Sequence, residues 1–523
     1  MNERELTEII LCSGIKMDKN YENVLSYSEE DIVNLCRTNA IYSGYKYKII
    51  GVRNNVINLD CPYGIAMYAN YLAFKNPKYG DKWIFGWVTD VKLLNDEVSQ
   101  ITFKTDVFST WYSRFSLNQA FIEREHVDDD TVGKHTIPEN LETGEYICNS
   151  HIVDSNNADL IVVMGTSITI GELVPAGAGV YNNIPSGVMY YAFSDISSSS
   201  VNSLTSVLSM LANNGKSSGV NSLFIAPQWL AGTGGMVATS STVATYDLGL
   251  SKMTSLNGYT PTNKKLLTYP YCYFTLSNAV GYASVLRQEV WDTNNNNEMV
   301  LRVKGCLTPG CSIKAIPINY NGAGTNDDEA VSLGKFPMLN WINDQYTNWL
   351  TQNGVNIGMS VGFSAAQIAG GLAAMSTGAG AGIGATSVLN GTIGIANALG
   401  QVYQHYLIPP TVEGNVNSGD VTTASGANRF HVYKMSIRDE YARSIDAYFS
   451  RFGYKVNEVK TPNLNSRTVF NFIKVGGMDE LVSGNIPATD LEEINSIFRK
   501  GVTIFHDYTK IGNYTVSNPI RNS

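Results

Sequence analysis

Between positions 123 and 135, six side chains able to transfer protons or ligate metal fall close together: Glu123, His126, Asp128, Asp129, Asp130 and His135. Carboxylates and imidazoles at such spacing are the material of a cation site or of a paired-acid hydrolase. Their order matches neither HExxH nor an EF-hand loop. The stretch is therefore expected to be a polar turn after a strand, and no catalytic residue, metal or cofactor is assigned. Other reactive groups are dispersed. Cys306 and Cys311 flank the Pro309-Gly310 turn and could pair or bind metal, but two thiols make a poor zinc site. Gly232-Thr233-Gly234-Gly235 lacks the Lys-Ser/Thr that completes a phosphate loop. No GxSxG occurs. The six histidines are spread, none beside a Cys or Ser in a nucleophile arrangement. His405 and His431 flank the hydrophobic loop of an unusual segment and could respond to pH, a chance placement being the competing expectation.

That segment is the chain's most distinctive feature. No Lys, Arg, Asp or Glu occurs between Asp344 and Glu413. The run Gly378-Ala379-Gly380-Ala381-Gly382 divides its centre into two arms of about 20 residues, each long enough to cross a bilayer as a helix. At helical spacing the first arm sets Ile357, Val361, Ile368, Leu372 and Met375 beside a polar stripe of Asn356, Ser360, Ser364 and Gln367. The second sets Leu389, Ile393, Ala396 and Tyr403 beside Asn390, Asn397, Gln401 and His405. The expected membrane-inserting or plugging residues are Ile357, Val361, Phe363, Ile368, Leu372, Met375, Leu389, Ile393, Ile395, Leu399 and Val402, with Gly378, Gly380 and Gly382 at the bend. Asn356, Ser360, Ser364, Gln367, Asn390, Asn397 and Gln401 would line a wet lumen once several copies assemble. Dense glycine opposes helix formation, so an irregular plug or ordinary core packing is the competing expectation.

The rest of the chain must position this segment. Its 523 residues exceed one ordinary core. Charged residues make up 16%, against about 25% in a typical soluble domain. Net charge is −9, so the whole chain has no basic footprint for duplex DNA, and an acidic interior could let DNA slide. Seven scattered cysteines without CxxC fit a reducing compartment. The charged N-terminus, lacking a signal peptide, suggests that export occurs by another route such as virion release.

The patterning predicts an α+β, β-dominated, multidomain protein. Its expected parts are a β-rich 1–158, a mixed 159–265, a β meander plus helix over 266–344, the uncharged loop 345–412 and an α+β region 413–523. Alternation predicts a hairpin of 45–52 with 56–61, then a helix-like 63–75, then strands over 82–92 and 98–111. Further strands are expected over 159–167, 187–193 and 221–227, with Asp195 capping a helix between the last two. The meander is drawn over 266–276, 281–291 and 298–306. Pro337 suits a helix start. Near the end come a helix 439–452 stopped by Gly453 (Tyr441, Ile445, Tyr448 and Phe452 on its apolar face), strands 454–460 and 466–475, and a capping box Thr489–Glu492 opening a helix.

Several ordered motifs carry a resemblance. Phe103-Lys104-Thr105-Asp106-Val107-Phe108, Trp111 and Phe121-Ile122-Glu123-Arg124-Glu125-His126-Val127 resemble the tail-knob proteins of phi-29-like short-tailed bacteriophages. So do His135-Thr136-Ile137-Pro138-Glu139, Thr268-Tyr269-Pro270-Tyr271-Cys272, Phe452-Gly453-Tyr454-Lys455, Pro462-Asn463-Leu464 and Ile511-Gly512-Asn513-Tyr514. The resemblance covers both ends well and roughly 150–260 poorly. It implies a homohexameric distal tail tube of β-barrel-like domains, made in the host cytoplasm and carried in the virion. The implied partners are itself, other tail and collar proteins, phage DNA passing without sequence specificity, and the host cell membrane. In that family the hydrophobic loops close the tube and are thought to enter the membrane during genome ejection. Two alternatives stand beside it: a purely structural or adsorption tail protein, and a cell-wall-degrading tail-tip enzyme using Glu123 and the acids at 128–130.

Overall fold

The computed structural model describes residues 7–47, 55–77, 82–154 and 429–521 without interruption, and shorter stretches between 156 and 340. The segment 345–412, with every side chain assigned above to plug, membrane or lumen, lies outside the described residues. So does Cys311.

The described chain is β-dominated α+β. It divides into two compact units, one built from Met1–Thr143, Tyr259–Leu266 and Asp439–Ser523, the other from Gly144–Gly258 and Leu267–Arg438.

In the first unit an antiparallel six-stranded sheet runs Ala40–Tyr47, Thr7–Cys12, Tyr71–Asn76, Lys82–Leu93, Ser99–Thr105, Val56–Leu59. Ile9, Leu11, Ile57, Leu59, Leu72, Phe74, Ile101 and Phe103 form its core. Each such side chain contributes about 1.5–3 kcal/mol of burial. Of the expected hairpin of 45–52 with 56–61, residues 48–54 lie outside the described residues; Ala40–Tyr47 pairs with Thr7–Cys12, and Val56–Leu59 with Ser99–Thr105 at the opposite edge. The helix expected over 63–75 shrinks to Tyr63–Ala66, after which the buried Tyr71–Asn76 takes a central place in the sheet. Likewise the strand drawn to 111 ends at Thr105. There the Asp106 carboxylate accepts from Ser109 N–H at 3.1 Å and starts a short helix, Val107–Trp111.

A second sheet in this unit runs Asn23–Leu25, Val502–Phe505, Phe470–Val475, Ala120–Glu125, Tyr454–Lys460. Helix Asp439–Phe452 follows the sequence, but its buried face is Ala442, Ile445, Asp446 and Phe449, rotated from the expected one. The rotation admits a carboxylate to the core, since Asp446 is fully supplied with donors (below). Gly453 closes the helix at φ +65, and a Cβ there would run into the Glu125 carbonyl. Helix Ala488–Lys500 begins behind Pro487 with no side-chain cap, so the Thr489 capping box is not formed.

The second unit holds three larger sheets. One runs Tyr146–Val153, His431–Ile437, Cys272–Ser277, Ala283–Leu286. Another runs Val237–Thr239, Met189–Phe193, Leu160–Thr166, Val220–Pro227, Met338–Asn340. In the third, Met299–Cys306 lies between Ala244–Leu250 and Ser312–Tyr320, with Met299, Leu301 and Val303 turned inward at period two. The expected meander is thus split: Cys272–Ser277 and Ala283–Leu286 form a hairpin in one sheet, and Met299–Cys306 belongs to another. The helix expected after Pro337 is replaced at its start by strand Met338–Asn340. Helix Leu204–Asn213 is present, its start marked by Ser203, whose hydroxyl accepts from Ser206 N–H at 3.3 Å.

Candidate functional site

Two regions could hold function: the polar cluster after strand Ala120–Glu125, and the supports of the uncharged segment.

The cluster is dismantled by its own partners. The strand lies between Phe470–Val475 and Tyr454–Lys460, so successive side chains face opposite sides. Glu123 pairs with Lys474 at 2.9 Å. Arg124 donates to the Gly453 carbonyl at 2.7 Å and its guanidinium meets Glu139. That fully buried carboxylate also takes the Lys265 ammonium, and accepts the Lys455 N–H at 2.9 Å. Glu125 pairs with Lys460, while burial pushes its carboxyl pKa upward.

His126 is 2% exposed. Its Nδ1 accepts from Phe472 N–H at 2.8 Å, which leaves the proton on Nε2, 3.1 Å from the Ser450 carbonyl. Burial, helped by the nearby Arg467 charge, lowers its pKa to about 3, so the ring is neutral. Asp129 closes a turn, accepting from Thr131 N–H at 2.9 Å and from Lys134 at 2.6 Å, which hold its carboxyl below the usual range. Asp130 accepts the Tyr454 hydroxyl at 2.6 Å and Lys264 N–H at 2.9 Å. His135 Nε2 lies 2.8 Å from the Asp129 carbonyl. The arrangement ties loops to strands and assembles neither an acid–base pair nor a ligand shell. Among the described residues no group of three or more His, Cys, Asp or Glu is placed to hold a metal ion.

Two strands of the second unit bracket the uncharged segment. Met338–Asn340 pairs antiparallel with Val220–Pro227. His431–Ile437 sits between Tyr146–Val153 and Cys272–Ser277, with Phe430 fully buried just before it. His431 Nδ1 and His151 Nε2 lie 2.8 Å apart, and Tyr433 stacks on His151 at 4.4 Å. Burial, then the charges of His151 and Arg429, hold the His431 imidazole below its ordinary pKa. The other flanking histidine, His405, lies outside the described residues. Among those residues no helix is long and apolar enough to cross a membrane.

The family model for the C-terminal domain of the Bacillus phage phi29 tail knob protein gp9 matches residues 236–519, more than half of the chain. The chain belongs to the phi29 gp9 tail knob family. Residues 5–116 match the caudoviral major tail protein N-terminus. Tail knob protein gp9 of phi29 is 27% identical, the similarity covering 98% of this chain and 99% of that one. The same protein of Bacillus phage PZA is 26% identical over equal shares. The solved bacteriophage C1 tail knob protein, gp12, shares the fold with a TM-score of 0.64 at 14% identity, covering 98% of this chain and 100% of that one. As a member of this family the chain is a structural virion component, a tail knob protein, and not an enzyme.

Sequence reasoning missed the buried knots: Glu139 with Arg124 and Lys265, Asp446 with Asn263, and Arg467. Glu139 falls inside a motif that carried the resemblance, yet nothing in its spacing marked it as buried. The only available signal was scarcity, because each charge carries more weight where just 16% of residues are charged.

Proposed function

We propose that this tail knob protein forms the distal tail tube as a homohexamer, with β-barrel-like domains around a DNA-conducting channel closed by the 345–412 loops. During genome ejection the loops leave the lumen and enter the host cell membrane. The observation that carries this reading is the run without Lys, Arg, Asp or Glu between Asp344 and Glu413. A hairpin of Gly, Ala, Ser and aliphatic residues can pass from a closed lumen into lipid because neither site must solvate a charge. Its setting supports the reading: the strands bracketing it are each paired into a sheet of the second unit. An insertion held at both ends can move while its supports stay folded. The net charge of −9 suits a conduit that passes DNA without gripping it.

Light scattering gives the assembly mass, and a photoactivatable lipid probe in liposomes reads insertion. The reading expects six copies and labelling confined to peptides from 345–412. A monomer, or labelling spread over the strands, contradicts it.

A further inference from the structure

In the second unit, the sheet Tyr146–Val153, His431–Ile437, Cys272–Ser277, Ala283–Leu286 buries one face through Val432, Cys272, Phe274, Leu276 and Leu286. Strand register gives the contents of the opposite face. His151, Tyr433, Thr275 and Val285 stand in one row across the four strands. The row on one side is Val153, His431, Ser277 and Ala283, and on the other Cys148, Met435 and Tyr273. None of these side chains is Lys, Arg, Asp or Glu. All are exposed or half-exposed, Val285 by 46% and Val153 by 37%. The water-facing side of an antiparallel sheet is ordinarily polar, with the apolar residues turned inward. Here it carries tyrosines, valines and a methionine without a single charge. Depletion of charge with enrichment of Tyr and Met is the composition of the core of a protein–protein interface.

The strands have 8, 7, 6 and 4 residues, and at about 3.3 Å per residue and about 4.8 Å between strands they present roughly 400 Å² in plan. That is about half of the roughly 800 Å² that each partner buries in a standard interface, before side-chain relief is added. The rings on this side already order one another. Tyr433 stacks on His151 at 4.4 Å, and Tyr273 meets Tyr146 edge-on at 5.4 Å. Less side-chain freedom is therefore lost when a partner docks. DNA or an anionic lipid surface is gripped by Lys and Arg, and this face has neither. A second copy of the chain, only 16% charged, matches an uncharged face. We propose that this face is a contact surface between adjacent copies of the chain, an inference that rests on the homohexamer reading above.

Cys148 supplies the reporter, since its thiol is exposed in the single chain and lies on this face. The full chain is treated with N-ethylmaleimide, once assembled and once diluted to single copies, and labelling of the Cys148 peptide is followed by mass spectrometry. Labelling is expected in the dilute protein and lost in the assembly. His151→Glu and Val285→Glu each place a charge at an exposed position of the face. Both variants are expected to keep their circular dichroism while light scattering shows the assembly mass falling. The labelling comparison needs no substitution, so it decides the matter if a variant misfolds. An intact protein that never assembles removes the homohexamer and this inference together. An intact assembly whose Cys148 reacts as fast as in single copies, or folded variants that reach full mass, overturns this inference alone.

Discussion

Asn263 and Asp446 lie 183 positions apart in sequence and meet in the core of the first unit: the Asp446 carboxylate accepts both the backbone N–H of Asn263 at 2.9 Å and its side-chain amide at 2.7 Å. The same carboxylate accepts the Tyr259 hydroxyl at 2.6 Å and Thr262 N–H at 2.7 Å. One side chain on helix Asp439–Phe452 thereby fastens the short excursion Tyr259–Leu266 into a unit otherwise made from the two ends of the chain. Asp446→Ala is expected to cost about 3 kcal/mol by stranding those buried donors, read as a lower midpoint in chemical denaturation. A loss under 1 kcal/mol would mean that water replaces the carboxylate.

Glu139 stands between Arg124 and Lys265, which are respectively largely and almost wholly buried. Glu139→Gln leaves two cations without their counterion and should destabilise by about 3–5 kcal/mol. Adding Lys265→Met should recover part of the loss, since the double variant buries one charge fewer. Non-recovery in that cycle would place the cost in packing instead.

His126 predicts acid sensitivity with a definite sign. Its pKa is lowered to about 3 in the fold, against about 6.5 when unfolded. The unfolded chain therefore takes up a proton that the folded chain refuses. Stability from this residue is complete above about pH 6.5 and falls by about 1.4 kcal/mol per unit down to about pH 3. His126→Gln should start less stable yet lose less between pH 7 and pH 5. Parallel pH profiles of the thermal midpoint would refute the assignment.

Gly453 occupies φ +65 with its missing Cβ directed at the Glu125 carbonyl. Gly453→Ala should cost about 2 kcal/mol or more through strain and overlap. Gly512, also at positive φ (+75) but facing open space, is the control: alanine there should cost only about 1 kcal/mol. Equal losses at the two positions would leave the overlap without effect.

Legibility of the sequence followed the range of the forces involved. Period-two and period-3.6 patterns located strands 82–92 and 221–227 and helix 439–452, because one-sided burial writes itself into local spacing. Partner choice did not show: Val56–Leu59 alternates equally well beside Ala40–Tyr47 or beside Ser99–Thr105, and only three-dimensional closure selects the latter. Buried polar residues misled the patterning, since Asp446 on a core face looks like a surface residue until its four donors are seen. The cluster from Glu123 to His135 displayed its chemistry in sequence and lost it in structure, each group save Asp128 being held by a nearby lysine, arginine, hydroxyl or backbone group. The family was visible in ordered motifs, and Glu139 and Gly453 both lie within them.

The most direct test of the membrane role is dye release from lipid vesicles at neutral and mildly acidic pH. The intact protein is compared with a variant lacking residues 356–404 that assembles to the same mass. Leakage by the intact protein alone is the predicted result. Equal leakage by both, or none by either, would contradict a membrane-inserting segment and leave it as a plug or a packing element of the tail knob.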